Sequence, residues 1–364
     1  MLALRGGAEL VALWAQLSSL IELVAGVALN GVGAGLAVLV AQAAAEEAAL
    51  RLGLGVALPV AMAAGALAWM YEAPMSRGAI VLGCAAGWAA IVPGIANNYW
   101  LGQERRAAML ALATASALVL VVCAAVAPRE HLLEVMAAAS AAPVLVLVGL
   151  RGSSESGGPV EQRALRRYVL PGLAIGILSP ASVMVARGLV ADALSWHEAG
   201  VLQALWRMGD WVSGLAGGVL SVYYLPRLAA AQRDAVLHRV VREMLRRVVL
   251  PAGLLFAVLY VFRQPLLGAL YEPGFAASDA AVALVFAGSL MRLASWAGLF
   301  ALYAMRRTRA IAIGELLSLP LFAALLALAG SGLTLELAGA MWLFAFTVYC
   351  GFNFWAMLRP LRPS

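Results

Sequence analysis

Apolar stretches of about twenty residues recur eleven times along the 364 residues, at roughly 11–41, 52–71, 79–101, 108–127, 132–150, 168–191, 201–225, 248–268, 280–304, 310–330 and 337–358. Nothing else in the chain limits its fold as strongly. Each run is long enough to cross the ~30 Å hydrocarbon core of a bilayer as a helix. The runs lack the two-residue alternation of barrel strands, and backbone in lipid must satisfy its own hydrogen bonds. The expected fold is an all-α polytopic membrane protein with about eleven transmembrane helices. Composition agrees: 64% of residues are hydrophobic and 12% charged, against about 25% charged in a soluble domain.

The connections carry the orientation. The formal net charge is +6, and every basic residue is arginine. Eighteen arginines fall in alternate connections and the C-terminal tail, beginning with Arg51 after the first span, while only Arg5, Arg77, Arg129 and Arg263 lie on the opposite side. The positive-inside rule places the richer side, and with it the C-terminus, in the cytoplasm. The Gly- and Ser-rich stretch 151–167 is the expected linker between an N-terminal bundle of five spans (1–150) and a C-terminal bundle of six (168–364). The 227–247 connection reads as a short amphipathic cytoplasmic helix that touches anionic lipid. No residue-level repeat is visible, although transporter repeats often hide at that level.

Three arginines, Arg187, Arg207 and Arg292, lie inside spans. An ionisable side chain at mid-bilayer costs about 2.5–3.5 kcal/mol on insertion scales, so it usually faces protein or a watery cavity. On a helix, Gln203, Arg207, Asp210, Gly214, Gly217 and Ser221 recur every three or four residues and form one polar, small-residue stripe. Arg207 and Asp210 stand three apart and either neutralise each other or line a cavity. Arg187 either snorkels to the interface or meets a ligand. Arg292 has no acid within a helical turn, so it needs a partner on another helix or an anionic ligand, and the ligand is the favoured reading. Asn97 and Asn98 follow Pro93 and Gly94, which can break a helix. Gly31, Gly33 and Gly35 suit close helix packing. Glu22 and Glu315 are further acids near or within spans.

Several function classes lack their signatures. HExxH, GxSxG, the phosphate-binding loop and paired CxxC are all missing, and no outer connection is long enough for a folded catalytic surface. Cys84, Cys123 and Cys350 are isolated within apolar runs, and His131, His197 and His238 are scattered. Neither a disulfide framework nor a metal site is expected. No cofactor, catalytic role or nucleic-acid partner is expected either. Interior arginines without catalytic groups fit a carrier of something large and anionic.

The stretch ARGLVADALSWHEAGVLQALWRMGDWVSGLAGGVLSVYYLPRLA resembles the bacterial lipid III and O-antigen flippases of the multidrug/oligosaccharidyl-lipid/polysaccharide (MOP) exporter superfamily. Ser195, Trp196, Glu198 and Gly200 match a periplasmic S-W-x-E-x-G turn. Gln203 and Asp210 match the next helix, and Ser221, Val222, Tyr223, Leu225 and Pro226 match its end. LVAGVALNGVGAGLAVLVAQ, ANNYWLGQ, YEPGF with Phe275, and AGSLMRLASW extend the likeness. The chain departs from the pattern at Gly288 and Ser289, where the family has Gly-Asp ahead of the basic residue corresponding to Arg292. It also shows eleven spans where the family has twelve, and its first segment resembles the family's second. A truncated or mis-assigned start is therefore expected.

The resemblance implies two helical bundles around a central cavity, alternating access, and an undecaprenyl-diphosphate-linked oligosaccharide as substrate. The substrate would move from the cytoplasmic to the periplasmic leaflet of a bacterial inner membrane, for O-antigen or related polysaccharide assembly, with a polysaccharide polymerase complex as a further partner. Expected substrate contacts are Arg187, Arg207, Arg292, Gln203, Asn97 and Asn98, with Trp206 or Trp211 stacking on sugar faces. Guanidinium suits a diphosphate because its charge is permanent and its donors are forked. Asp210, Glu22 and Glu315 are the candidates for ion coupling or charge partnership, and Asp210 is expected to orient Arg207. A drug/cation antiporter of the same superfamily is the alternative, and a membrane glycan polymerase or ligase a more distant one.

Overall fold

The computed structural model describes residues 2–33, 36, 46–70, 75–103, 105–150, 162–224, 227–228, 234–271, 277–305 and 307–359. Sixteen α-helices follow one another, with no strand among the described residues. They are α1 (Leu2–Ala28), α2 (Glu46–Met70), α3 (Arg77–Ala89), α4 (Ile91–Gly102), α5 (Arg106–Val126), α6 (Leu132–Ser140), α7 (Pro143–Leu150) and α8 (Gln162–Ala193). Then come α9 (Trp196–Val219), α10 (Asp234–Met244), α11 (Leu250–Val261), α12 (Arg263–Leu270), α13 (Asp279–Ala304), α14 (Thr308–Leu316), α15 (Leu319–Ala329) and α16 (Leu335–Leu358). Wider π-turns extend α1 over Leu29–Gly33 and α9 over Leu220–Tyr224, and join α10 to α11 over Leu245–Val249.

Nine stretches among the described residues are long and apolar enough to cross a membrane. The chain is an all-helical, multi-pass membrane protein. Two of the eleven expected spans fall outside this set for different physical reasons. Residues 132–150 break at Ala141–Ala142 into the short helices α6 and α7. Helix α9 is long enough at 24 residues, but Glu198, Arg207 and Asp210 dilute its apolar character.

Two compact units divide the chain: Met1–Arg5 with Leu13–Met184, and Gly6–Ala12 with Val185–Ser364. This division falls within α8. Of the expected linker, residues 151–161 lie outside the described residues, and 162–167 open α8. In the first unit, Ala25, Ala28, Val32, Ala49, Ile91 and Ile95 form one buried cluster, and Leu17, Leu20, Ala79, Ile80 and Ala137 form another. Helices approach closely where glycine leaves room, as membrane helices favour. A Cβ on Gly176 would overlap the carbonyl of Gly26, and one on Gly33 would sit 2.8 Å from Asn98 Nδ2. Gly33 thus has the packing role expected of it, while Gly35 lies outside the described residues.

In the second unit the central feature is the long contact of α13 with α16. Gly288 fits against Trp342 and Leu343, Gly298 against Asn353, and Gly339 against Leu284. Trp206 stacks on Trp342 at 4.9 Å, with Phe322 edge-on to both and Phe346 4.6 Å from Trp342. The amphipathic pattern of 227–247 is realised in α10 and the π-turn after it. Leu237, Val241, Met244 and Val248 are buried, while Arg239, Arg242 and Arg246 are exposed.

A repeat that the sequence reading did not find is present in the hydrogen bonds, carried by a few shared residues. In the first unit Ser76 caps α3, accepting from Ala79 N, and donates to Glu134. In the second unit Ser278 caps α13, accepting from Ala281 N, and donates to Glu336. Both serine–glutamate pairs span 58 residues. The offset of 202 between them (76 to 278, 134 to 336) also relates Arg105 to Arg307, which precede α5 and α14 with nearly equal backbone angles, φ −78, ψ 62 and φ −83, ψ 60.

Candidate functional site

The S-W-x-E-x-G turn explains how the polar helix of the second unit is placed. Ser195 is extended at φ −176 and its hydroxyl accepts from Glu198 N at 3.1 Å, with Glu198 at the capping-box position. Gly200 lies directly against the backbone of Ala8, where any Cβ would collide with the Ala8 carbonyl. The motif is therefore a start signal and a close-packing point for α9. Leu225 and Pro226, at the other end of the resemblance, lie outside the described residues, as does Phe275.

Along α9 the expected polar stripe divides. Gln203 is buried and its Oε1 accepts from Arg187 Nε at 3.2 Å and Nη2 at 2.9 Å. Arg187 is only 2% exposed, so this pair is interior and does not snorkel. Arg207 is exposed and makes no ion pair among the described residues. Asp210 pairs not with Arg207, three residues away, but with Arg292 of α13: Nη2 lies 2.5 Å from Oδ1. Arg292 thus has a partner on another helix, where its isolation in sequence had favoured an anionic ligand.

That ion pair has an unusual setting. The Arg292 side chain is 18% exposed and that of Asp210 39%. The guanidinium carbon lies 5.8 Å from the ring centres of Trp296 and Trp342 and 5.9 Å from that of Phe346. Each aromatic face attracts a cation, by about 0.5–2 kcal/mol depending on desolvation. Arg292 Nε is buried without a hydrogen-bond partner. An orphaned charged donor beside a half-open carboxylate marks a place where an anion can compete for the cation.

Ser289 stands ahead of this arginine where the resemblance leads to an acid. It is buried, donates to Val285 O at 2.9 Å and accepts from Trp342 Nε1 at 3.4 Å. A carboxylate there would be buried against an aromatic core. Trp206 belongs to the same core, at 5% exposure, and is unavailable for sugar stacking, whereas Trp211 is exposed.

The remaining sequence candidates are dispersed. Asn97 and Asn98 are half-buried in the first unit, where Asn98 Nδ2 donates to Gly94 O at 2.9 Å. Glu22 is exposed on α1 and has its own interaction partner. Glu315 of α14 accepts from Tyr349 Oη of α16 at 3.0 Å. No group of three or more His, Cys, Asp or Glu side chains among the described residues could hold a metal. A groove of about 650 Å³ in the first unit, lined by Leu58, Met62, Trp69, Cys84 and Trp88 among others, carries no charged residue and offers nothing to a diphosphate.

Sequence reasoning missed Trp342, Phe346, Tyr349 and Asn353. Their spacing of four, three and four placed them on one face of α16, but aromatic residues in an apolar run carry no signal of what they face.

The second unit of this polytopic helical protein thus holds an arginine–carboxylate pair in its interior. Known structures agree on the fold. The chain is similar to a multidrug resistance MATE family transporter of the MOP superfamily, solved in an inward-facing conformation, with TM-score 0.71 and 10% identity, over 97% of this chain and 89% of that one. It is also similar to a MOP superfamily transporter from Pyrococcus furiosus, described as having a binding pocket of reverse polarity that suggests a different function; there the TM-score is 0.65 and the identity 12%, over 98% of this chain and 88% of that one. No protein-family model and no curated protein matches the sequence. The shared property is the MOP transporter fold.

Proposed function

We propose that this protein is a transporter, not an enzyme, and that its cargo is a lipid-linked oligosaccharide carried on undecaprenyl diphosphate. It moves that cargo from the cytoplasmic to the periplasmic leaflet of a bacterial inner membrane by alternating access, for O-antigen or related polysaccharide assembly. A polysaccharide polymerase complex is the expected partner, and the C-terminus is cytoplasmic. The observation that carries this reading is Arg292: a guanidinium inside a membrane unit, caged by three aromatic rings, with one donor unsatisfied and a single half-exposed carboxylate partner. The diphosphate displaces Asp210 from Arg292, and Asp210 takes the guanidinium back on release. Arg207, exposed on α9, supplies a second cation. The Arg187–Gln203 pair is buried and acts by holding α8 to α9.

A drug/cation antiporter is the second reading. It is favoured by the partly exposed carboxylate of Asp210, whose partner Arg292 is ringed by aromatic side chains of the kind that suit an organic cation. The two are separated in proteoliposomes containing the purified chain. Flipping of a fluorescent undecaprenyl-diphosphate glycan, abolished by Arg292→Ala and slowed by Arg207→Ala, is the expected result. Accumulation of ethidium with no movement of the glycolipid would overturn the proposal in favour of the antiporter. Normal surface-glycan display by a cell carrying Arg187→Ala, Arg207→Ala and Arg292→Ala together would also end it.

A further inference from the structure

The groove between α2 and α3 in the first unit has no use in holding a diphosphate, yet it is shaped and bounded. Its floor is made of small residues, Gly65 and Ala66 of α2 and Ala85 of α3. A Cβ on Gly65 would lie 3.2 Å from Cys84 Sγ, so the two helices meet closely beneath the groove. Met62 and Val81 stand exposed along its sides. On α2 it runs from Leu58 to Trp69, a length of about 16 Å at the helical rise per residue. That is half of the ~30 Å hydrocarbon thickness of a bilayer, the depth of one leaflet. A partner helix crossing the membrane would run on past its ends, whereas a single lipid chain fits its length.

Each end is closed by a tryptophan held in place. Trp88 Nε1 donates to Leu54 O at 3.2 Å. Trp69 lies under Arg77, whose guanidinium carbon is 4.7 Å from the ring centre. Arg77 is exposed at the start of α3, next to the capping Ser76. Tryptophan beside arginine is the pairing that membrane proteins present to lipid headgroups. The internal repeat sets this arginine apart. The offset of 202 that relates Ser76 to Ser278 also relates Arg77 to Asp279, which forms an ion pair with Arg263. Arg77 forms no ion pair among the described residues. The carboxylate on this side of the unit, Glu134, accepts from Ser76 Oγ. The charge of Arg77 is thus open to an anion from outside the chain.

We propose that this groove is a binding site for one anionic phospholipid, with an acyl chain lying over Gly65, Ala66 and Ala85 between the two tryptophans and the headgroup phosphate on Arg77. The guanidinium meets the phosphate with forked, charge-assisted donors. Neighbouring lipid tails are as apolar as the groove, so no hydrophobic gain separates a bound chain from bulk lipid. Fit over the small residues holds the chain, and the choice among lipids falls to the charge at Arg77. A second copy of this chain suits the groove less well. A twofold contact between copies in one membrane would set both Arg77 guanidiniums at the same depth, like charge facing like.

The test uses the purified full chain, stripped of lipid in detergent. It is titrated with phosphatidylglycerol or with phosphatidylcholine of the same acyl chains, and native mass spectrometry counts the lipids retained. The expected result is one retained phosphatidylglycerol, bound about fivefold more tightly than phosphatidylcholine. Arg77→Gln is expected to bring the two lipids to equal affinity. Ala85→Phe fills the groove from an exposed position and is expected to weaken both by about tenfold or more; Ala66→Phe, on the facing helix, is expected to repeat that loss. A wild-type protein that retains neither lipid, or both equally, refutes the site. So does retention unchanged in both phenylalanine variants, because the chain then lies elsewhere. A dimer that forms on lipid removal and is lost in Ala85→Phe would overturn the proposal in favour of a second copy. Undecaprenyl phosphate displacing phosphatidylglycerol at equal concentration would overturn it in favour of a carrier lipid. No transport is measured, so the outcome is independent of the cargo.

Discussion

Replacing Asp210 by Asn removes one charge while preserving shape, and the consequences for stability and for anion binding have opposite signs. The ion pair joins α9 to α13 at 2.5 Å. With charge centres about 4 Å apart and an effective dielectric near 20, the attraction is about 4 kcal/mol before desolvation. Fully exposed pairs retain about 0.2–1 kcal/mol, whereas removing one partner of a buried pair costs about 3–5 kcal/mol. With side-chain exposures of 18% and 39%, this pair lies between those limits. Asp210→Asn is therefore expected to lower unfolding free energy by about 1–3 kcal/mol. The same change frees Arg292 for an anion, which predicts undecaprenyl diphosphate binding about 5- to 100-fold tighter and slower release. Calorimetric binding in nanodiscs and unfolding in detergent read the two effects separately, with Arg292→Gln as the control that abolishes the binding gain. A variant that binds the diphosphate no tighter than wild type refutes competition between carboxylate and phosphate for one guanidinium.

Other expectations follow from the same geometry. Trp342→Ala opens the aromatic core among Trp206, Phe322 and Phe346, and is expected to cost about 3–5 kcal/mol in detergent unfolding; a loss below 1 kcal/mol would mean that these rings are not packed as described. Gln203→Leu removes the acceptor of two Arg187 donors and is expected to destabilise by about 1.5–3 kcal/mol, with wild-type stability as the contrary outcome. Gly200→Val drives a side chain into the Ala8 backbone, so it should fail to accumulate as a folded protein, whereas Gly214→Ala, with open space around it, should accumulate normally. Glu243 bridges Arg227 and Arg247 on an exposed surface at 3.8 and 2.8 Å, so Glu243→Gln is expected to change stability by no more than about 0.5 kcal/mol.

Much of the fold was legible in the chain because bilayer thickness turns hydrophobic length directly into helices. That rule marked the spans, and nine of the eleven expected are long and apolar enough among the described residues; local chemistry sets the other two apart, at the Ala141–Ala142 break and in the charged helix α9. Helix-start signals were equally local: Ser195 with Glu198, and Ser278 with Asp279, need nothing beyond neighbouring residues to cap a helix.

Partnership was a different matter. The three-residue spacing of Arg207 and Asp210 pointed to a pair within one helix, but Asp210 reached Arg292, 82 residues away. Arg187 found Gln203, and Trp206 withdrew into the core with Trp342. The repeat likewise became visible through equivalent hydrogen bonds and backbone angles, because the few residues that carry it lie far apart in the chain. The sequence alone thus determined which segments are long and apolar enough to enter a membrane, because the cost of exposing polar groups to lipid is set segment by segment. Which carboxylate, amide or ring each arginine meets was decided only by how helices distant in the chain pack. A charge in a low-dielectric interior answers to its nearest neighbours in space, and the order of residues along the chain does not name them.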